Sequence, residues 1–283
     1  MRLIPGFRHG RASSSATWVR RSGRVALMAG LVTLGVALAP ASPGLAADVP
    51  AAAQAGAGEP ADAVTDTPPA IVTTDPVLRV MPLGDSLTFG KRDPAENGYR
   101  ATLHDWLTAT GVPVDFVGSQ KNGTGADTDH EGHPGWRIAQ LTENIDQWMA
   151  DSRPDVVLLD IGTNDLLHHD RIAEAPARLT DLLDHIVTAN PQVRIVLAKL
   201  LVVDLGHEAN FQAYNEALAA VADLYPDNVT LVSMAPVPVA NTADHVHPNP
   251  LGYQQMAYQW YWGLRDVVPS ARMWTPVANP FDS

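Results

Sequence analysis

Residues 155–165 read DVVLLDIGTND. From Val156 to Ile161 the only polar side chain is Asp160, so both faces of the segment avoid water. A strand with one wet face alternates apolar and polar residues. One that is apolar on both faces sits inside a parallel sheet sandwiched between helices. The run stops at Gly162-Thr163-Asn164-Asp165, small and polar residues that turn the chain where the strand ends.

The same alternation repeats outward in both directions. Apolar runs at 77–83, 114–118, 194–200 and 229–234 predict four more strands. Helical spacing recurs between them: Leu103, Trp106 and Leu107 within 99–109; Ile138, Leu141, Ile145, Trp148 and Met149; Leu179, Leu182, Leu183 and Ile186; Tyr214, Leu218, Val221 and Leu224 within 209–224. A closing helix is expected from about Pro250 to Leu264. Strands alternating with helices predict an α/β fold: a three-layer α/β/α sandwich around a flavodoxin-like five-stranded parallel sheet in the order 2-1-3-4-5. No internal repeat is visible.

In such a sheet ligands bind at the C-terminal edge of the strands. Four polar, glycine-punctuated segments fall there: GDS at 84–86, HEGHPGW at 130–136, GTND at 162–165 and DHVHPN at 244–249. The loops of the opposite edge, such as ANPQ at 189–192 and YPDN at 225–228, read as plain turns.

The four segments hold the parts of an acyl-transfer site. A serine hydroxyl attacks a carbonyl only when a base removes its proton, and Ser86 follows the first strand. His247 is the candidate base. Asp244, three residues earlier, can return in a turn to fix the imidazole's tautomer. The developing oxyanion needs donors. The candidates are the backbone N–H of Ser86, that of Gly135, and the carboxamide of Asn164, which donates without carrying charge. Asp85, His133 and Trp136 are candidate substrate-binding residues; Asp85 should also bond loop amides, and Trp136 could stack on a sugar or pack as core. Asp165 reads as support for its turn, and Trp106 and Trp148 as core. His130, His133, His168 and His169 read as loop residues in water. In HEGH the histidines are three apart rather than the four of a zinc-protease helix, so no metal and no cofactor is expected.

These segments, in this order, resemble the four blocks of the SGNH hydrolases, the GDSL esterase and lipase superfamily, from Val80 to Gly263. The runs MPLGDSLT, VDFVGS, DHEGHPGW, VLLDIGTND and HPNPLGYQQMA, with Tyr214-Asn215, are similar in particular to carbohydrate esterase family three, the acetylxylan esterase group. The resemblance implies Ser86 as nucleophile, Gly135 and Asn164 as oxyanion donors, His247 as base and Asp244 as its support. Two departures stand out. Asp160 takes a place where an apolar residue or histidine would be expected, and His245-Val246 precede His247 where many relatives have a glycine.

The 283 residues divide unevenly. Residues 1–24 carry six arginines and no acid, 25–39 are apolar, and small residues follow to Ala46. That order is a secretory signal, its apolar run of 15 residues being short of a membrane span. Arg20-Arg21 is compatible with twin-arginine export. Residues 47–76, rich in Ala, Pro, Thr and Gly, read as a disordered linker, leaving a hydrolase domain at 77–268 and a tail at 269–283. Loss of the six leader arginines from 19 basic residues leaves 13 against 31 acids, a net charge near −18. Such a surface repels nucleic acid and anionic lipid. With no cysteine there is no disulfide framework and no thiolate metal site.

The sequence therefore predicts a secreted serine esterase that removes short acyl groups, acetyl foremost, from carbohydrate. Its partner would be an acetylated polysaccharide or small ester, with no nucleic acid and no stable membrane association; oligomeric state stays open. One alternative is a lipase or general short-chain carboxylesterase with the same machinery. Another is a non-catalytic carbohydrate-binding domain of the same fold.

Overall fold

The structure, a computed structural model, describes residues 77–203, 205–268 and 274–282. The expected leader and linker lie outside the described residues. The strands are β1 (Leu78–Gly84), β2 (Val114–Phe116), β3 (Gln120–Lys121), β4 (Asp129–Gly132), β5 (Val156–Asp160), β6 (Arg194–Lys199) and β7 (Val229–Ser233). The helices are α1 (Ser86–Phe89), α2 (Arg100–Ala109), α3 (Ile138–Thr142), α4 (Ile145–Ser152), α5 (Thr163–Leu167), α6 (Ala175–Ala189), α7 (Glu208–Ala222) and α8 (Pro250–Val267).

The sandwich is as expected and β5 is central, but the sheet is larger than five strands. Its order is β3-β4-β1-β5-β6-β7, with β2 also on β1. β2 and β4 share one flank of β1. β2 pairs in parallel with Leu78 to Val80, and β4 with Leu83 and Gly84. β3 pairs antiparallel to β4, so the sheet is mixed. The residues of β4, Asp-His-Glu-Gly, carry no strand pattern. They form a strand because β2 is too short to pair with the end of β1, whose open peptide groups require partners. The single helix expected over 138–149 is two, α3 and α4, because the chain breaks at Glu143-Asn144.

Alternate residues of β5 feed two cores. Val157 and Leu159 join Leu141, Leu179, Leu183, Phe211 and Leu218 on the face covered by α3, α4, α6 and α7. Val156 and Leu158 join Leu103, Leu107, Met256 and Trp260 under α2 and α8. Residues 274–282 pack back on α8. Tyr261 donates to the Thr275 carbonyl at 2.9 Å, Gln255 to the Pro280 carbonyl at 3.2 Å, and Trp274 is buried. The folded unit thus includes part of the expected tail. Among the described residues no helix is long and apolar enough to cross a membrane.

Candidate active site

β1 ends at Gly84, and Asp85 caps the short helix α1 by accepting the Leu87 N–H at 3.0 Å. This sharp turn leaves Ser86 at the C-terminal edge of the sheet. Its hydroxyl lies 2.9 Å from His247 Nε2. His247 arrives from the far end of the sheet on a tight loop after β7. Thr242 bridges to Pro248, and the Ala243 N–H donates to the His247 carbonyl at 2.8 Å. The loop is fixed to α8, where Asn241 donates to Gln255 at 2.9 Å and Asn249 caps the helix by accepting the Gly252 N–H. His245 sits in the left-handed region at φ 66°, the conformation a glycine adopts without cost.

Both Asp244 carboxylate oxygens lie 3.0 Å from His247 Nδ1, and Oδ1 also accepts the His247 amide at 2.8 Å. Arg92 Nε donates to Asp244 Oδ2 at 2.8 Å. Burial pushes this carboxyl up, but the bonds from the His247 amide, Arg92 and the His247 ring outweigh it and hold the group below the usual carboxylate range. An ionised carboxylate only accepts, so Nδ1 carries the imidazole proton and Nε2 presents its lone pair to the Ser86 hydroxyl. Burial also lowers the His247 pKa. Asp244 opposes that shift, while the charges of Lys91 and Arg92 reinforce it.

Asn164 lies in the first turn of α5, two residues after Gly162, whose φ of 125° and contact with the Tyr214 ring leave no room for a side chain. Asn164 Nδ2 donates to the Trp136 carbonyl at 2.9 Å and to Asp85 Oδ2 at 3.2 Å. One carboxamide therefore joins three of the four polar segments. The 133–136 turn is also tied to β1 by the His133 N–H, which donates to the Gly84 carbonyl at 2.9 Å. Gly135 lies on this turn, exposed, with φ 84° and open space where a side chain would project. Neither the Ser86 nor the Gly135 amide takes part in a hydrogen bond seen among the described residues. Asp165 behaves as the expected turn support, accepting the Ile138 N–H at 3.1 Å and Arg178 at 2.7 Å.

Several expectations are corrected. Asp85 does not face a substrate: it is 1% exposed beneath Ser86, and its oxygens are taken by Leu87 and Asn164. Burial, partly offset by the Leu87 amide and reinforced by Asp165, pushes its pKa up to about 7. His130 and His133 are not loop residues in water. His130 lies in β4, fully buried, and its Nδ1 accepts the Gly132 N–H at 2.9 Å; burial lowers its pKa to about 3. His133 packs against both Trp136 and Trp148, with ring centroids 4.2 and 4.8 Å away, and donates to the buried Glu131 carboxylate at 2.6 Å. Its side chain is largely buried in these contacts, at the start of the Gly135 turn. Trp136, with one face on His133, is half-buried against the core, as are Trp148 and Trp106. His168 and His169 are exposed as expected. Among the described residues no group of three metal-ligating side chains converges.

Sequence reasoning missed Arg92, Glu131 and Arg100. Arg100 is buried. It donates to the carbonyls of Thr88, Phe89 and Glu96 at 3.0, 3.1 and 2.8 Å, which fixes the loop carrying Arg92.

The described family "GDSL-like Lipase/Acylhydrolase family" matches residues 83–255, from the end of β1 into α8. The chain belongs to the GDSL-like lipase/acylhydrolase family. A family 3 carbohydrate esterase of Clostridium thermocellum is similar to this GDSL-family chain at 33% identity and a TM-score of 0.62, over 68% of this chain and 97% of that one. A carbohydrate esterase family 3 structure from Talaromyces cellulolyticus is similar at 28% identity and a TM-score of 0.60, over 68% and 98%. A multidomain esterase of Ruminococcus flavefaciens is 31% identical over 219 residues, 65% of this chain. The chain spans 28% of that protein's length and 59% of that of a putative endoglucanase X from Acetivibrio thermocellus.

Proposed function

We propose that this GDSL-family chain is a secreted serine esterase that removes acetyl groups from carbohydrate. The observation that carries the reading is the relay of Ser86 Oγ at 2.9 Å from His247 Nε2 and both Asp244 oxygens at 3.0 Å from Nδ1. His247 takes the serine proton as Ser86 attacks the ester carbonyl, and Asp244 balances the imidazolium that forms. The amides of Ser86 and Gly135, with the Asn164 carboxamide, receive the negative charge on the carbonyl oxygen. His247 returns the proton to the departing sugar hydroxyl. The same imidazole then activates water, which releases acetate and regenerates Ser86.

The substrate class is supported by likeness to the two family 3 carbohydrate esterases, and secretion by the basic, apolar and small-residue order of residues 1–46. The test is acetate release from a panel of acetylated glycans, alongside p-nitrophenyl acetate, by wild type and Ser86→Ala. Release from a glycan that vanishes in Ser86→Ala is expected. Turnover of p-nitrophenyl esters alone, extending to long chains, would favour a general esterase or lipase. No turnover by a folded wild type would leave a carbohydrate-binding domain. Recovery of the protein from the culture medium with an N-terminus near Ala46 checks secretion.

A further inference from the structure

The segment after the nucleophile also reaches the other end of the relay. Gly90 ends α1, and the chain loops out to α2 through Arg92, which lies in the left-handed region at φ 73°. An L-residue holds that conformation only where its surroundings enforce it, and here the loop is fixed on both sides of Arg92. Tyr253 of α8 donates to the Lys91 carbonyl at 2.7 Å. Asp93 Oδ2 accepts the amides of Asn97 and Gly98 at 2.8 and 3.0 Å. Arg100 grips the carbonyls of Phe89 and Glu96 from below. The result is a guanidinium aimed at Asp244 Oδ2, 152 positions away in the chain.

We propose that Arg92 is a positioning residue of the proposed esterase site: from the segment that carries Ser86 it clamps the carboxylate that orients His247, and its charge sets the acid edge of activity. This rests on the catalytic reading of Ser86 and His247. The clamp closes a ring, since Ser86 bonds His247, His247 bonds Asp244, and Asp244 bonds Arg92, six residues after Ser86. The ring spares the His247 loop from relying on its own turn for register. The charged groups facing His247 are Asp244 on its own loop and Lys91 and Arg92 on the loop after α1. Two cations therefore oppose one anion, and removing Arg92 shifts that balance towards imidazolium. Arg92 also draws on the same oxygen that accepts from Nδ1, so its loss strengthens the Asp244 hold on a charged ring. Both effects act in one direction.

The test compares wild type, Arg92→Gln and Arg92→Lys by pH profiles of kcat/KM on p-nitrophenyl acetate, and by NMR titration of the His247 imidazole, assigned with His247→Gln. In Arg92→Gln the acid limb and the imidazole titration are expected to move up by about half a pH unit at low salt, the size of one screened charge at this range. The displacement should shrink at 1 M salt. Arg92→Lys, which keeps the charge, should stay near wild type in pH and lose only plateau rate. A loss of rate in Arg92→Gln with an unmoved limb and an unmoved titration would make the contact merely structural and overturn the proposal. A moved titration in a protein whose wild type shows no Ser86-dependent turnover would leave the electrostatic clamp standing and remove the esterase reading instead.

Discussion

Asn164 and Asp85, 79 positions apart, share a 3.2 Å hydrogen bond buried directly beneath Ser86. The same carboxamide nitrogen holds the Trp136 carbonyl, so both of its hydrogens are engaged. A substrate oxygen must take one of them over. The longer contact, to Asp85, is the weaker of the two. Asn164, the proposed oxyanion donor, is thus also the brace that sets the Ser86 turn against the Gly135 turn.

This double duty gives the first prediction. Asn164→Ala should lower kcat by about 10²–10³, the usual effect of removing one oxyanion donor. It should also loosen the Gly135 turn, so Asn164→Asp, which cannot donate to Trp136, should not rescue it. Steady-state kinetics on an acetyl ester check this. An Asn164→Ala enzyme of wild-type kcat would remove Asn164 from the oxyanion site.

The pH dependence follows from two groups. His247 titrates below the ordinary histidine value, because burial disfavours its charged form and Lys91 and Arg92 add to that. Activity needs the neutral imidazole, so kcat/KM should hold as pH falls to about 6.5 and decline only below that. Asp85, pushed up to about 7, changes charge in the same region. As a buried acceptor it remains a partner for Leu87 in either state, so the acid limb should persist in Asp85→Asn. An inflection near neutrality that disappears in Asp85→Asn would transfer control of the profile to Asp85.

The sheet edge was legible in sequence because backbone polarity leaves a mark there. Strands β1 and β5 are apolar runs that stop at glycine and polar residues, and the segments of Ser86 and Asn164 follow from that. Residues whose roles come from tertiary context carried no such mark. The DHEG of β4 is polar throughout, and its pairing depends on how short β2 is. Arg92 is an exposed arginine in a polar loop, indistinguishable by type from any solvated one. His133 reads as polar, yet its ring packs against two tryptophans. The split of α3 from α4 was hidden because Ile138, Leu141, Ile145 and Met149 keep one helical spacing across a break.

The support of the Gly135 turn can be tested through His133. Its ring packs against Trp136 and Trp148 and satisfies the fully buried Glu131, whose other bonds come from Ser119 at 2.7 and 2.8 Å. His133→Ala leaves a gap beside the two rings and removes one donor from a buried carboxylate, a cost of about 1–3 kcal/mol. The melting temperature should drop, and kcat should fall more than KM changes, because the turn loses its support while the acyl site keeps its shape. Equal kcat in a destabilised His133→Ala protein would show that Gly135 does not depend on this stack.

Asp160 offers a test of stability that runs opposite to most carboxylates. It is 1% exposed, and among the described residues neither carboxyl oxygen has a hydrogen-bond partner. Burial, reinforced by the charge of Asp85, raises its pKa well above the usual range. It shares the face of β5 that carries Val156 and Leu158 into the apolar layer under α2 and α8. The folded chain therefore binds this proton more tightly than the unfolded chain. Its contribution is complete below the unfolded carboxyl range, near pH 4, and is lost as pH rises towards the folded value. Asp160→Val replaces the unpaired group by an apolar one of similar volume suited to a strand. It should melt higher than wild type, by about 1–3 kcal/mol of stability at pH 8, with the gain shrinking towards pH 4. Thermal unfolding across that range reads the difference directly, and a gain that did not vary with pH would mean that Asp160 is not the proton-binding group.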